Sequence, residues 1–247
     1  MRVGRKNVLM RLTCSASVIV LLIVFLSSCK KDNDEEQVPD SGTLTDIDGN
    51  IYQTVVIGSR EWMAENLKVT RYNDGTPIAS PGRDNKGWET INKGAYSWYK
   101  NDEPTYRDKY GALYNWHAVN SGKLCPAGWR VPTDDEWTHV SKYLIENSGQ
   151  ILKQSGNNAQ ENKDDEVPGI AGFNALAGGG RFSGVSVENR NSSDGYFYYE
   201  GKSGRWWSST EHSSSNAWYR SIYPESGNVL RGYNYKETGF SVRCIRN

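Results

Sequence analysis

The sequence has little of what builds a metal centre or a nucleophilic active site. It holds three histidines and four cysteines in 247 residues. There is no Cys-x-x-Cys pair, and His117, His139 and His212 lack a partner at metal-ligand spacing. That excludes a local zinc motif, and each histidine is expected to be structural or exposed. No Gly-x-Ser-x-Gly elbow occurs. Gly201-Lys202-Ser203 looks like the end of a phosphate loop, but Tyr196 stands where the opening glycine belongs and Gly195 is one place off. Gly178-Gly179-Gly180 lacks the strand–helix context of a dinucleotide site. The acid pairs Asp134/Asp135 and Asp164/Asp165 fall in a helix cap and a polar loop, so neither suggests a glycosidase. No metal, cofactor or catalytic residue is expected. Long apolar runs are also scarce. Residues 18–26 form the only one, which excludes a polytopic membrane protein. Finally there is no net charge, with 29 Lys and Arg against 29 Asp and Glu. That removes the bulk electrostatic case for nucleic acid.

Aromatic residues, by contrast, are plentiful. Nine Trp and 15 Tyr need burial, so disorder along the whole chain is excluded. The length allows one medium domain or two small ones.

The zero charge is an average over unlike segments. Residues 1–28 carry Arg2, Arg5, Lys6 and Arg11 and no acid. The apolar run then leads into Leu26-Ser27-Ser28-Cys29. This is the order of a signal peptide, and its end resembles a bacterial lipobox. In such lipoproteins the cysteine sulfur is acylated and becomes the new N-terminus. Cys29 is therefore the expected lipidation site, and membrane lipid the expected partner; the alternative is an ordinary signal or a single anchor helix. Cleavage leaves 219 residues, with 25 basic against 29 acidic, a net charge of −4. Such a globule is a poor nucleic-acid binder. Residues 29–42 are read as the lipidated cysteine and a solvated tether, since Val38 is the one apolar residue among 30–42. The acids just after Cys29 resemble the surface-export signal of Bacteroidetes lipoproteins. The expected location is the outer membrane, facing the cell surface; a periplasm-facing linker is the alternative.

After Cys14 leaves with the leader and Cys29 is acylated, Cys125 and Cys244 remain. In an exported chain they have one intramolecular option, a Cys125–Cys244 disulfide. It would close a loop of about 120 residues, worth about 4–5 kcal/mol on the loop-entropy argument. Two buried free thiols are the alternative.

Residues 43–247 show no linker and are read as a single domain. Ile51–Ile57 reads as a strand after an Asp48-Gly49-Asn50 turn. Asp46-x-Asp48-x-Asn50 resembles a calcium loop, but Ile51 and Ile57 occupy the required Gly and Glu places, so it is read as a turn. Thr133-Asp134-Asp135-Glu136 is a capping box opening a helix. Trp137, Val140 and Leu144 form its apolar face, and residues 147–149 stop it. Residues 205–210, 216–223, 228–233 and 239–245 read as strands, with residues 225–228 as a hairpin turn. In the last, Phe240, Val242 and Cys244 share one face, with Ser241, Arg243 and Ile245 on the other. The class expected is α+β, with short antiparallel strands, one or two helices and irregular loops.

Six ordered blocks carry a family likeness. They are Thr45-Asp46-Ile47-Asp48-Gly49-Asn50, Trp62-Met63-Ala64-Glu65-Asn66-Leu67, Tyr110-Gly111-Ala112-Leu113-Tyr114-Asn115-Trp116, Leu124-Cys125-Pro126-Ala127-Gly128-Trp129-Arg130-Val131-Pro132-Thr133, Trp206-Trp207-Ser208-Ser209-Thr210 and Gly239-Phe240-Ser241-Val242-Arg243-Cys244. Together they resemble the Fibrobacter succinogenes major paralogous domain of Bacteroidetes and Fibrobacteres lipoproteins, a family without an established activity. Arg130-Val131-Pro132-Thr133-x-x-Glu136-Trp137 and the Gly-Phe-Ser-Val-Arg ending are also similar to formylglycine-generating enzymes. The Trp-Ser-Ser-Thr block and the ending resemble the variable proteins of diversity-generating retroelements. Both resemblances imply a C-type lectin-like fold. The enzymes hold copper with two C-terminal cysteines, whereas Cys244 stands alone here, so the chain is expected not to be an enzyme. Glu103-Pro104-Thr105 departs from the Glu-Pro-Asn of calcium-dependent lectins, and Trp-Asn-Asp is absent.

In the variable proteins the ligand segment lies between the Trp-Ser-Ser-Thr block and the ending. The matching residues 211–238 hold Tyr219, Tyr223, Arg231, Tyr233, Asn234 and Tyr235, the expected ligand-binding set for a glycan or a protein. Trp218 and Ile222 are expected in the core, and Tyr219 and Tyr223 outside. The alternative is a merely solvated face. Trp62, Trp116, Trp129, Trp137, Trp206 and Trp207 are expected in the core, and Arg243 to pair inside it, with Glu65 as the suggested partner. The function expected is ligand binding by a lipid-anchored envelope protein. The alternatives are a divergent enzyme of the formylglycine-enzyme fold and a structural component of a surface assembly.

Overall fold

The computed structural model describes residues 42–143, 173, 175–183, 196–223 and 229–247. The leader, Cys29, the tether up to residue 41, Leu144, the helix stop at 147–149, Asp164/Asp165 and the turn at 225–228 lie outside the described residues.

The chain starts as an antiparallel meander of β1 (Thr43–Thr45), β2 (Ile51–Ile57) and β3 (Arg60–Met63). Alternation in β2 buries Tyr52 and Thr54 and exposes Ile51 and Gln53. The β1–β2 turn is closed by Asp46, whose carboxylate accepts from the backbone N–H groups of Asp48 and Asn50, Asn50 Nδ2 and Tyr52 Oη. Asp48 is likewise taken by Thr70 and Arg71. Protein donors occupy these carboxylates, as the turn reading requires.

Next come α1 (Asn85–Thr90), β4 (Tyr96–Ser97), a 3-10 turn (Tyr99–Asn101), α2 (Glu103–Tyr110), β5 (Leu113–Tyr114), α3 (Trp116–Val119) and β6 (Trp129–Arg130). The expectation of one or two helices is therefore too low. Helices α1 to α3 have six, eight and four residues, too short for an amphipathic period to show. Their signals are local, in the N-caps Asp84, Asp102 and Asn115, each accepting from a first-turn N–H. Glu103-Pro104 opens α2.

The fourth helix, α4, starts at residue 134 and is described to 143. Both arms of its capping box form, with Thr133 Oγ1 accepting from Glu136 N and Glu136 Oε2 accepting from Thr133 N. Trp137 and Val140 are buried. Then follow β7 (Gly178–Arg181), β8 (Phe197–Glu200), β9 (Gly204–Glu211), β10 (Asn216–Ile222), β11 (Val229–Tyr235) and β12 (Ile245–Arg246).

The expected strand over 239–245 is broken up. Gly239, Phe240 and Ser241 make isolated bridges, and regular pairing resumes only in β12. There the chain end inserts between β3 and β6, giving the sheet order β1-β2-β3-β12-β6. A second sheet runs β11-β10-β9, and two small ribbons pair β4 with β5 and β7 with β8. All these strand pairs are antiparallel, which with the helices makes the class α+β.

Cys125 and Cys244 are bonded, with Cα atoms 6.0 Å apart. The alternation of the last segment holds even without a strand. Phe240, Val242 and Cys244 enter one core cluster with Tyr52, Trp116 and Trp207, whereas Ile245 enters another with Trp62, Trp137 and Trp206. The six tryptophans assigned to the core are all buried, and Trp88 and Trp98 join them. Arg243 is sealed inside, with Nε donating to Asn66 Oδ1 and its guanidinium 3.9 Å from the Phe173 ring. Burial pulls it down to about 9, against the favourable charge of Glu65, so it still carries its proton at neutral pH. Glu65 itself accepts from Gln53 N.

Candidate functional site

Sheet β9–β11 carries the expected ligand residues, and its pleat decides which of them meet. Directly opposed residues of antiparallel strands share a face. Trp218 opposes Tyr233, Arg220 opposes Arg231, and Asn216 opposes Tyr235. Tyr219 opposes Gly232 and Trp207, and Ala217 opposes Asn234. Arg231, Tyr233 and Tyr235 therefore lie on one face, and Tyr219 and Asn234 on the other. Tyr223 follows the end of β10 and is half-buried.

The core assignment along β10 needs correcting. Trp218 is half-buried rather than core, and Tyr219 is half-buried rather than exposed. The expected division into a core face and an exposed face fails because both faces are covered. The Tyr219 ring lies 4.8 Å from that of Phe240 and 6.2 Å from that of Trp207. Gly232 makes room for it, since a Cβ there would stand 2.9 Å from the Tyr219 ring. On the opposite face Ile222 is buried against the second cluster, while the Trp218 end opens outward. Asn234 serves the turn after β11, its Oδ1 accepting from Tyr235 N and Thr238 Oγ1.

The outward face holds a compact aromatic group. Arg231 lays its guanidinium 3.3 Å from the Trp218 ring centroid. Tyr233 meets Trp218 edge-on at 5.7 Å, and His212 stacks on Tyr233 at 4.1 Å and 7°. Tyr233 and Tyr235 remain 56% and 54% exposed, so their rings are available to a partner. Beneath them Asp134 of α4 anchors the group. Its carboxylate pairs with Arg220 and accepts from Arg231 Nε at 2.8 Å. Arg220 Nη2 also donates to the Asp134 carbonyl and to Thr138 Oγ1, each at 2.8 Å. Burial pushes the Asp134 carboxyl up, but its bonds to the two arginines outweigh that and leave it below its usual range. The result is a rigid platform, since Arg231 is held both by a carboxylate below and by a ring beside it.

Sequence reasoning missed Asp134 and His212 in this site and left Arg220 out of the ligand-binding set. Strand alternation puts Arg220 on the Trp218 face, but nothing local couples it to the first turn of a helix 86 residues earlier. A polar cleft of about 250 Å3 elsewhere is lined by Lys68, Arg107 and Asp108 among others. These charges already pair with one another, Lys68 with Asp108 at 3.0 Å and Arg107 with Asp108 at 3.3 Å. Among the described residues no group of three or more His, Cys, Asp or Glu converges as a metal site would require.

Fold and surface together define a strand-rich α+β domain, tied end to middle by a disulfide, with an aromatic and arginine platform on one sheet face. The chain belongs to the Fibrobacter succinogenes major domain family, whose model matches residues 55–246. No curated protein and no solved structure matches it.

Proposed function

We propose that this chain is a lipid-anchored protein of the cell envelope that binds a glycan or protein ligand without catalysis. The observation that carries the reading is the exposure of Tyr233 and Tyr235 beside the Trp218–Arg231 stack. Exposed aromatics on a rigid support suit both a sugar ring and a protein hot spot, because little side-chain entropy is lost on binding. The basic leader, the apolar run and Leu26-Ser27-Ser28-Cys29 support export and acylation at Cys29, with the acidic tether favouring display at the outer surface of the outer membrane. We assign the fold to the C-type lectin-like type, on the resemblance of the Arg130–Trp137 region and the chain ending. The non-catalytic reading is supported by Cys244, which is spent in a bond to Cys125 rather than free as a thiolate ligand.

The test is an array of glycans and extracellular proteins probed with the full chain. Binding lost in Tyr233→Ala/Tyr235→Ala, with melting unchanged, supports the surface. Binding that survives the pair places the ligand elsewhere.

A further inference from the structure

The opposite face of the same sheet holds an arginine, Arg205, that pairs with no acid among the described residues. Arg205 of β9 is only 6% exposed. Its Nε donates to Ser203 Oγ at 3.1 Å, and its two terminal amino groups keep contact with solvent and make no hydrogen bond or ion pair to a described residue. Arg220 by comparison pairs with Asp134, and Arg181, whose Nε has no partner among the described residues, donates from its terminal groups to the side-chain carbonyls of Asn85 and Asn101. Arg205 has rings instead. Tyr199 lies 4.1 Å from its guanidinium carbon, Phe182 5.2 Å, and Tyr219 and Phe240 5.8 Å each. Aromatic faces compensate a buried cation only partly, and such charges are ordinarily paired.

The ring nearest the charge is held at a backbone cost. Tyr199 has φ +72, a left-handed conformation that a bulky residue adopts only under constraint. Gly179, opposite it in the β7–β8 ribbon, has φ +65, and a Cβ there would stand 2.3 Å from the Tyr198 carbonyl oxygen. This local twist sets the Tyr199 ring over Arg205 while 44% of the residue stays exposed.

We propose that Arg205 and the rings of Tyr199, Phe182 and Tyr219 form a second binding site, for a carboxylate-bearing sugar such as a uronic acid. One guanidinium fork matches one planar carboxylate in charge and shape, and a flat carboxylate fits between rings better than a tetrahedral sulfate does. Tyr199 supplies an exposed face for the sugar ring. The phenols of Tyr199 and Tyr219 offer hydroxyl partners. The site is separate from the Tyr233 platform, since Tyr219 and Tyr233 lie on opposite faces of the sheet.

The experiment titrates sodium glucuronate into the purified full chain, with glucuronate methyl ester, glucose and N-acetylphenylalanine as comparison ligands. Glucuronate is expected to bind at least tenfold more tightly than the ester or glucose, and Arg205→Gln to remove that preference, about 1.4 kcal/mol for each factor of ten. Tyr199→Gly should weaken glucuronate severalfold without lowering the melting temperature, because glycine relieves the strained φ. It therefore remains a readout if Arg205→Gln fails to fold. Tyr233→Ala/Tyr235→Ala should leave glucuronate binding unchanged, which keeps failure here distinct from failure of the platform. The proposal is overturned if glucuronate does not bind at tens of millimolar, if the ester binds as well as the acid, or if a folded Arg205→Gln binds as the parent does. Preference for N-acetylphenylalanine would overturn the sugar assignment in favour of a peptide carboxylate.

Discussion

Asp134 and Arg220 stand 86 residues apart in the chain and meet as a buried ion pair, 6% and 2% exposed, joining the first turn of α4 to the middle of β10. Removing one member strands the other charge in the interior. Asp134→Ala should cost about 3–5 kcal/mol in urea unfolding, since Arg220 then has no counter-ion. Arg231→Ala should cost about 1 kcal/mol, because that side chain is half exposed and the Asp134–Arg220 pair survives. Equal losses in the two variants would refute the assignment of the buried pair as the main tie.

Acid should loosen the same helix. Burial pushes the Glu136 carboxyl up, but the fork of Arg130, at 2.6 and 2.7 Å, and the Thr133 N–H outweigh it and hold it at about 2, against 4.5 ordinarily. A carboxyl depressed on folding stabilises fully above its unfolded value, and that contribution is lost as pH falls through the folded one. The melting temperature should therefore drop between pH 4.5 and 2. Glu136→Gln should flatten that dependence, and an unchanged pH profile would show that the fork does not couple to folding.

The capping box shows how far the sequence could be read. Thr133 and Glu136 are three residues apart, so a local pattern captures their whole chemistry, and both bonds form as expected. The Phe240, Val242 and Cys244 face was legible for the same reason, although the segment pairs through isolated bridges and not as one strand. The proposed ligand surface was legible only by resemblance and composition. Tyr219 and Tyr233 occur in one segment, but the β10–β11 register sends them to opposite faces, and register is fixed by long-range pairing rather than by neighbours. The three short helices escaped because their caps are single residues.

The disulfide closes a separation of 119 residues and pins the chain end beside Cys125. Cys125→Ala/Cys244→Ala should lose about 4–5 kcal/mol, mainly by freeing the unfolded chain. Non-reducing mass spectrometry of the parent should give one cross-linked peptide. A free Cys125 thiol in the mature protein would contradict the pairing.

The proposed acylation at Cys29 makes a fractionation prediction. Cys29→Ser should move the protein from the membrane pellet to the soluble fraction or leave an unprocessed precursor, because a lipid chain rather than a protein helix would hold it there. Membrane retention of a processed Cys29→Ser chain would exclude the lipid anchor.

Two glycines with left-handed backbones separate conformational cost from crowding. Gly75 has φ +86 and nothing within 4 Å of where a Cβ would sit, whereas Gly179 has φ +65 and a Cβ there would stand 2.3 Å from the Tyr198 carbonyl oxygen and 2.8 Å from the Glu200 nitrogen. Gly75→Ala should cost about 1 kcal/mol, the left-handed penalty alone. Gly179→Ala adds a backbone clash that no rotamer can relieve, and should cost about 3 kcal/mol. It should also disturb the Tyr199 ring above Arg205, so glucuronate affinity should fall together with stability, while Gly75→Ala leaves affinity unchanged. Equal losses of stability in urea unfolding would show that the β7–β8 ribbon gives way at Gly179, and that its tight approach does not hold Tyr199 in place.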